Sequence, residues 1–347
     1  MLLRCFLFSL TMTLAACGGV TVNGTGGAGG SGSTSGTGIG STGSNNTMGE
    51  AFSVTFDPIK VVPGQENTMC VVRRVGNKMA LHIGTITNKL SSASHHLIVS
   101  KTSDTVEAPK PFSCKPFSDL LKPEKGSPLM ITQKHEDSLP LPKGVAFAFA
   151  ADQMVRLEMH FINTTGADTS ASATSTFVAM PEADVKAEAD FLFVGNPDIN
   201  IPAQSKRTLG PTYLPIPGQV GEDAHFFGVT GHTHQYGTKV TVAIAESKSG
   251  PDKAVYDVPG WLWNEPATVY YDPPFTVPSS GGFRFTCDWN NTSKKAVTFG
   301  ESANNEMCFF WTYYYPSNGA FVCAHTDQAG SVNLCCPGNP LCAQLFP

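Results

Sequence analysis

From Ala51 onward, apolar residues fall in short runs that Pro, Gly, Asn and Ser interrupt every few positions. The runs at 53–56, 70–75, 80–87, 96–100, 145–150, 155–162 and 176–180 are rich in β-branched and aromatic residues, which suit a pleated surface. The second half repeats the pattern at 191–194, 225–229, 240–245, 268–271, 283–287 and 307–315. No stretch holds a helical apolar period for long enough to make a long amphipathic helix. Many short strands separated by turn signals predict an all-β fold of antiparallel β-sandwiches. A turn cluster at Gly195-Asn196-Pro197 divides the pattern into parts of similar length. Two sandwiches are therefore expected, over 51–197 and 198–316, with a cysteine-rich tail at 317–347.

The first fifty residues follow different rules. Arg4, the apolar stretch 6–14 and the small Ala15 and Ala16 read as an export signal over 1–16, too short to span a bilayer. Leu14-Ala15-Ala16-Cys17 resembles the lipobox of bacterial lipoproteins, in which the cysteine is acylated and becomes the new N-terminus. The competing reading is a plain signal peptide with an incidental cysteine. Residues 17–50 would then be the lipidated Cys17 and a Gly, Ser, Thr and Asn tether reaching roughly 30 Å. Gly18, in place of Asp, fits the lipoprotein pattern for onward sorting. The expected location is the cell envelope, anchored through lipid in a bacterial outer membrane.

Charged residues are 15 % of the chain and the formal net charge is −5, which gives no sign of a nucleic-acid partner. Setting aside Cys5 in the signal and Cys17 leaves eight cysteines: Cys70, Cys114, Cys287, Cys308, Cys323, Cys335, Cys336 and Cys342. An even number in an exported chain reads as disulfides. A zinc ribbon competes for the last four, but the adjacent Cys335 and Cys336 do not match its usual cysteine pairs.

The histidines carry the candidate chemistry. His232-Thr233-His234 lies in a β-prone context, where residues i and i+2 share a face, so both imidazoles project to one side. Met307 would complete a ligand set with them. A thioether suits Cu(I) and imidazole accepts copper, zinc, iron or nickel, so the three together indicate copper. His95 and His96 are neighbours and would face opposite sides of a regular strand. They can share a metal only at a twist or bulge, or through different ring nitrogens. Taken alone, a His-His pair is weak evidence and a lone methionine is more often core filler.

Taken in order, His95-His96, His160, His232-Thr233-His234 and Glu306-Met307-Cys308 resemble the copper type II, ascorbate-dependent monooxygenases. That family includes peptidylglycine α-hydroxylating and dopamine β-monooxygenases. The resemblance spans roughly residues 53–316, and Tyr314-Tyr315-Pro316 looks like the dopamine-hydroxylating branch. It implies two jelly-roll-like sandwiches, each supplying most of one copper site across an open cleft. It also implies the disulfides Cys70–Cys114 and Cys287–Cys308. His95, His96 and His160 would hold an electron-transfer copper. His232, His234 and Met307 would be the catalytic set, holding a second copper that meets dioxygen. Ascorbate or a similar one-electron reductant would reduce both coppers, and one atom of O2 would enter a C–H bond of a small substrate.

Departures from the family narrow the substrate. Its peptide-hydroxylating branch clamps a carboxylate with an arginine before the His-x-His, and adds an asparagine and a tyrosine after the methionine. Those positions here are Thr230, Phe309 and Trp311. Without the arginine a buried carboxylate would go unpaired, so an apolar or aromatic substrate is expected in a cleft lined by these three. Core packing is the competing reading of Phe309 and Trp311. Glu158 replaces a family glutamine, and His225 is expected to support the His232 site. His82, His135 and His325 read as ordinary histidines, and the tail cysteines as a local disulfide clip. Two other classes stay open: a copper-binding surface lipoprotein without turnover, and an adhesion module with one structural zinc.

Overall fold

The computed structural model describes residues 49–114, 126–300, 302–328 and 330–337. The signal, Cys17, nearly all of the tether and Cys342 lie outside the described residues. Strands dominate, and no helix among the described residues is long and apolar enough to cross a membrane.

Four main sheets form the body. The first orders Ala51–Val61, Thr169–Met180, Leu81–Leu90, Val145–Phe149 and Ala187–Glu188, with Glu136–Pro140 also paired to Leu81–Leu90. The second orders Ala108–Ser113, Glu66–Arg74, Met154–Ile162, Ser94–Thr102 and Pro128–Thr132. Strand alternation explains why these two stack. In Met154–Ile162, Val155, Leu157, Met159 and Phe161 join one apolar cluster with Phe56, Ile83, Phe147 and Phe177 of the first sheet. Arg156, Glu158 and His160 are left for the other face.

The third sheet orders Thr268–Thr276, His225–His232, Phe309–Tyr315, Asp190–Gly195, Phe321–Thr326 and Val332–Cys336. The fourth orders Ser205–Pro215, Gly282–Asn291, Gly237–Ala245 and Asp252–Asp257. The third sheet is buried on both faces. Phe191 and Phe193 join the cluster of the first half, while Leu192 and Val194 join that of the second. Phe309, Trp311 and Tyr313 likewise face the first half, and Phe310 and Tyr314 face the fourth sheet. The sandwiches therefore share an apolar layer, and 46–347 forms one compact unit.

Two expected boundaries shift. Asp190–Gly195, expected in the first sandwich, pairs antiparallel with Phe309–Tyr315 and parallel with Phe321–Thr326, inside the third sheet. The change of sandwich falls ahead of Asp190, and Gly195-Asn196-Pro197 merely ends a strand. The tail is also more than a clip, because Phe321–Thr326 and Val332–Cys336 complete one edge of that sheet. A strand buried on both faces has no polar alternation to show which neighbour it joins. The disulfides Cys70–Cys114 and Cys287–Cys308 form as the resemblance implies. Cys323 pairs with Cys335, and Cys336 is disulfide-bonded as well.

Candidate metal centre

A bulge builds the first ligand set. Ser94–Thr102 pairs with Met154–Ile162 so that His96 lies opposite His160, and the register slips between Ser94 and His96. The slip frees His95 from the alternation that would turn it away from His96. Ring centroids lie 5.6 Å apart for His95 and His96, 5.3 Å for His95 and His160, and 4.9 Å for His96 and His160. One ligand atom from each of the three lies within 4.8 Å of the others.

The electrostatics suit a cation. Burial, reinforced by repulsion from the neighbouring imidazoles, lowers His95 to about 3 and His96 well below the usual histidine range. Both are neutral near pH 7, each with a lone pair to donate. His96 Nε2 is buried without a hydrogen-bond partner. His160 Nε2 donates to Glu66 Oε1 at 3.0 Å, because an ionised carboxylate can only accept. That leaves His160 Nδ1 for a metal. The His160 bond is the main reason that Glu66 is held down to about 2.

In the second candidate set, the third sheet carries His232, while His234 and Met307 lie just beyond its strands. His225–His232 pairs with Phe309–Tyr315 so that Thr230 lies opposite Trp311 and His232 opposite Phe309. These side chains share one face, and Met307 packs in the same apolar cluster as Phe309 and Trp311. His232 and His234 meet edge-on, with centroids 5.1 Å apart. His232 Nδ1 meets Gln133 Oε1 at 3.1 Å, and His234 Nδ1 meets the Asn305 carbonyl at 3.2 Å. Both partners accept, so each ring places its proton on Nδ1 and presents Nε2. Burial takes His234 down to about 4 and holds His232 well below the usual histidine range. Two neutral imidazoles and a thioether fit a soft, redox-active cation such as copper.

Glu306 holds this set in place. It accepts from His234 N–H at 2.8 Å, Tyr236 N–H at 2.7 Å and Trp289 Nε1–H at 2.9 Å, so one buried carboxylate clasps both segments that carry the candidate ligands. Burial raises it to about 7, although these bonds favour the ionised form.

Other expectations need correcting. Side chains of each half reach the candidate set of the other. Glu66 reaches Ser302 and Ala303, Gln133 reaches His232, and the Trp263 ring lies 5.1 Å from that of His95. Phe309 and Trp311 are 1 % and 3 % exposed and stack on Phe193, so they pack the shared layer, as the core-packing reading expects. Thr230 is buried and bonds Thr268 at 2.8 Å. Glu158 lies against the Cys70–Cys114 disulfide. His225 stacks on Tyr315, roughly 23 Å along the strand from His232, too far to support it. His82 bonds Glu182, His325 bonds Asn333, and His135 is exposed. Glu66, Gln133 and Trp263 escaped the sequence reading, since each meets its histidine only through tertiary pairing.

No curated protein matches the chain. Among solved structures, the major capsid protein P2 of bacteriophage PM2 is 10 % identical, covering 76 % of this chain and 100 % of its own, at TM-score 0.34. PNGase F, a glycosylasparaginase from Flavobacterium meningosepticum, is 10 % identical, covering 77 % and 97 %, at TM-score 0.30. These likenesses carry no argument about this chain. Residues 189–333, the segment that contributes His232, His234 and Met307, match the family described as copper type II ascorbate-dependent monooxygenase, C-terminal domain, the same family that the histidine, methionine and cysteine pattern identifies.

Proposed function

We propose that the chain is an exported, lipid-anchored dicopper monooxygenase. It would insert one atom of O2 into a C–H bond of a small apolar or aromatic substrate, using electrons from ascorbate or a similar one-electron reductant. The family matched over 189–333 supports copper monooxygenase chemistry. The observation that carries the two-copper reading lies outside that match: His95, His96 and His160 converge at ligand spacing in the first half.

Copper, when bound, supplies the one-electron chemistry that dioxygen activation requires. The chain's own residues hold and tune that chemistry. Burial keeps the imidazoles of His95, His96, His232 and His234 neutral, while Glu66, Gln133 and the Asn305 carbonyl fix which ring nitrogen His160, His232 and His234 offer. The Met307 thioether favours the reduced state of its site. Phe193, Phe309 and Trp311 keep water from the wall behind His232. Thr230, where an arginine clamp would stand, is neutral and already paired, which speaks for a substrate without a carboxylate. Acylation at Cys17 would anchor the chain, with the tether holding its folded part off the membrane.

The tight packing of Phe309 and Trp311 favours a second reading, copper capture without turnover. One experiment separates them. The full chain is stripped of metal, reconstituted with copper, analysed for copper per chain, and followed by oxygen uptake with ascorbate and a panel of small aromatic substrates. Two coppers with substrate-dependent uptake support the monooxygenase. Two coppers with no uptake support capture, and a single zinc in the protein as isolated sinks both.

A further inference from the structure

We propose that Glu66 is a positioning residue shared by both ligand sets, fixing the tautomer of His160 and tying the segment that carries Met307 to the first half. The inference rests on the copper reading above but concerns a residue that touches no metal.

Glu66 opens the strand Glu66–Arg74, in which Thr68 lies opposite His160. Two residues before Thr68, Glu66 falls on the same face as that histidine. Its Oε1 takes three donors at once: His160 Nε2–H at 3.0 Å, Ala303 N–H at 3.1 Å and Ser302 Oγ–H at 3.3 Å. The first donor belongs to one ligand set. The other two belong to a segment that serves the second, since the Asn305 carbonyl accepts from His234 Nδ1, Glu306 accepts from His234 N–H, and Met307 follows.

Two consequences follow. A proton on His160 Nδ1 would turn the Nε2 lone pair toward a carboxylate oxygen, so Glu66 selects the Nε2–H form and keeps Nδ1 free. The same oxygen restrains the Ala303 amide, two residues from the carbonyl that orients His234. A single carboxylate thus couples the geometry of both sets, through bonds that are stronger than neutral ones because the acceptor is charged.

The test uses the full chain, with copper(II) alone as the metal probe. In metal-free wild type, nitrogen-15 NMR is expected to show His160 protonated at Nε2; protonation at Nδ1 would overturn the inference with no variant needed. In metal-free Glu66→Ala, amide exchange over 302–307 is expected to rise at least about tenfold, with a smaller rise in Glu66→Gln, whose amide oxygen still accepts. On copper titration, Glu66→Ala is expected to lose roughly 10- to 100-fold in affinity at both sites and to change the copper(II) EPR spectrum of the His160 site. A purely structural Glu66 would lower the unfolding temperature and leave that spectrum unchanged. Wild-type exchange, spectrum and affinities in a folded Glu66→Ala protein would overturn the inference. If wild type itself binds no copper, the enzyme reading fails, while the tautomer and the exchange data still decide the tie.

Discussion

Met307 is 4 % exposed and packs with Phe309 and Trp311, so a substitution there acts on ligation and packing together. Truncation to Ala would leave a cavity costing about 2–5 kcal/mol, enough to obscure the loss of a ligand. Leu keeps the volume, at a cost below about 1.5 kcal/mol, and removes only the thioether. Met307→Leu is therefore expected to unfold within a few degrees of wild type, retain copper at His95, His96 and His160, and bind Cu(I) at the other set at least about tenfold more weakly. Copper stoichiometry and competition titration check this, and two equally tight coppers would remove Met307 from the ligands. Asp190 offers a test away from the metal. It is 7 % exposed and accepts from Ser317 Oγ–H at 2.7 Å, yet burial raises its pKa above the ordinary 3.8. A carboxyl that protonates more readily when folded costs stability once ionised. Its contribution therefore worsens as pH climbs from the ordinary carboxylate range through the raised value. Asp190→Asn keeps an acceptor for Ser317 and is expected to unfold at higher temperature than wild type near neutral pH. That advantage should vanish at about pH 3. A pH-independent difference in thermal unfolding would contradict the assignment.

At the scale of strands, close approach and register decide where the ligands stand. Gly195 lies opposite Phe309, and a Cβ there would sit 2.0 Å from the Phe309 ring. That ring is stacked on Phe193 at 4.9 Å and has little room to yield. Gly195→Ala is expected to cost on the order of 1–3 kcal/mol in denaturant unfolding and to weaken copper binding at the His232 set, because Phe309 stands opposite His232. A cost below about 0.5 kcal/mol would mean that the strand adapts freely. Register also marks what the sequence could reveal. The period of two anticipated that His232 and His234 would meet, and their rings do, although the strand ends at His232 and His234 lies just beyond it; chain order grouped the remaining candidate residues. The need for a bulge at His95 and His96 was legible as a condition, and the slip beside His96 meets it. Which strand lies opposite which was not legible, so His160 facing His96, Glu66 reaching Ala303 and Gln133 reaching His232 had no local signal. The run 191–194 misled for the same reason, since apolar side chains on both faces fit either neighbouring sandwich.

The whole molecule turns on the layer between the second and third sheets. Phe191, Phe193, Phe227, Phe309, Trp311 and Tyr313 are all buried there, and the Tyr313 hydroxyl hydrogen-bonds the backbone of Ile131 in the first half. Exposing six such side chains would forfeit on the order of 10 kcal/mol of apolar burial. A whole domain is typically stable by only about 5–15 kcal/mol, so neither half can spare that face. Each ligand set also leans on the opposite half, through Gln133 on His232 and Trp263 on His95. The segment 189–337 produced alone is therefore expected to bind a hydrophobic dye and to unfold without a sharp transition, although it contains every residue of the His232, His234 and Met307 set. Adding the separately produced segment 49–188 should restore dye exclusion and a cooperative melt, because the missing surface is supplied by packing and not by a covalent link. A sharp melt and tight copper binding by 189–337 alone would show instead that the halves are independent domains resting against each other, and that the contacts from Gln133 and Trp263 contribute little to the metal geometry.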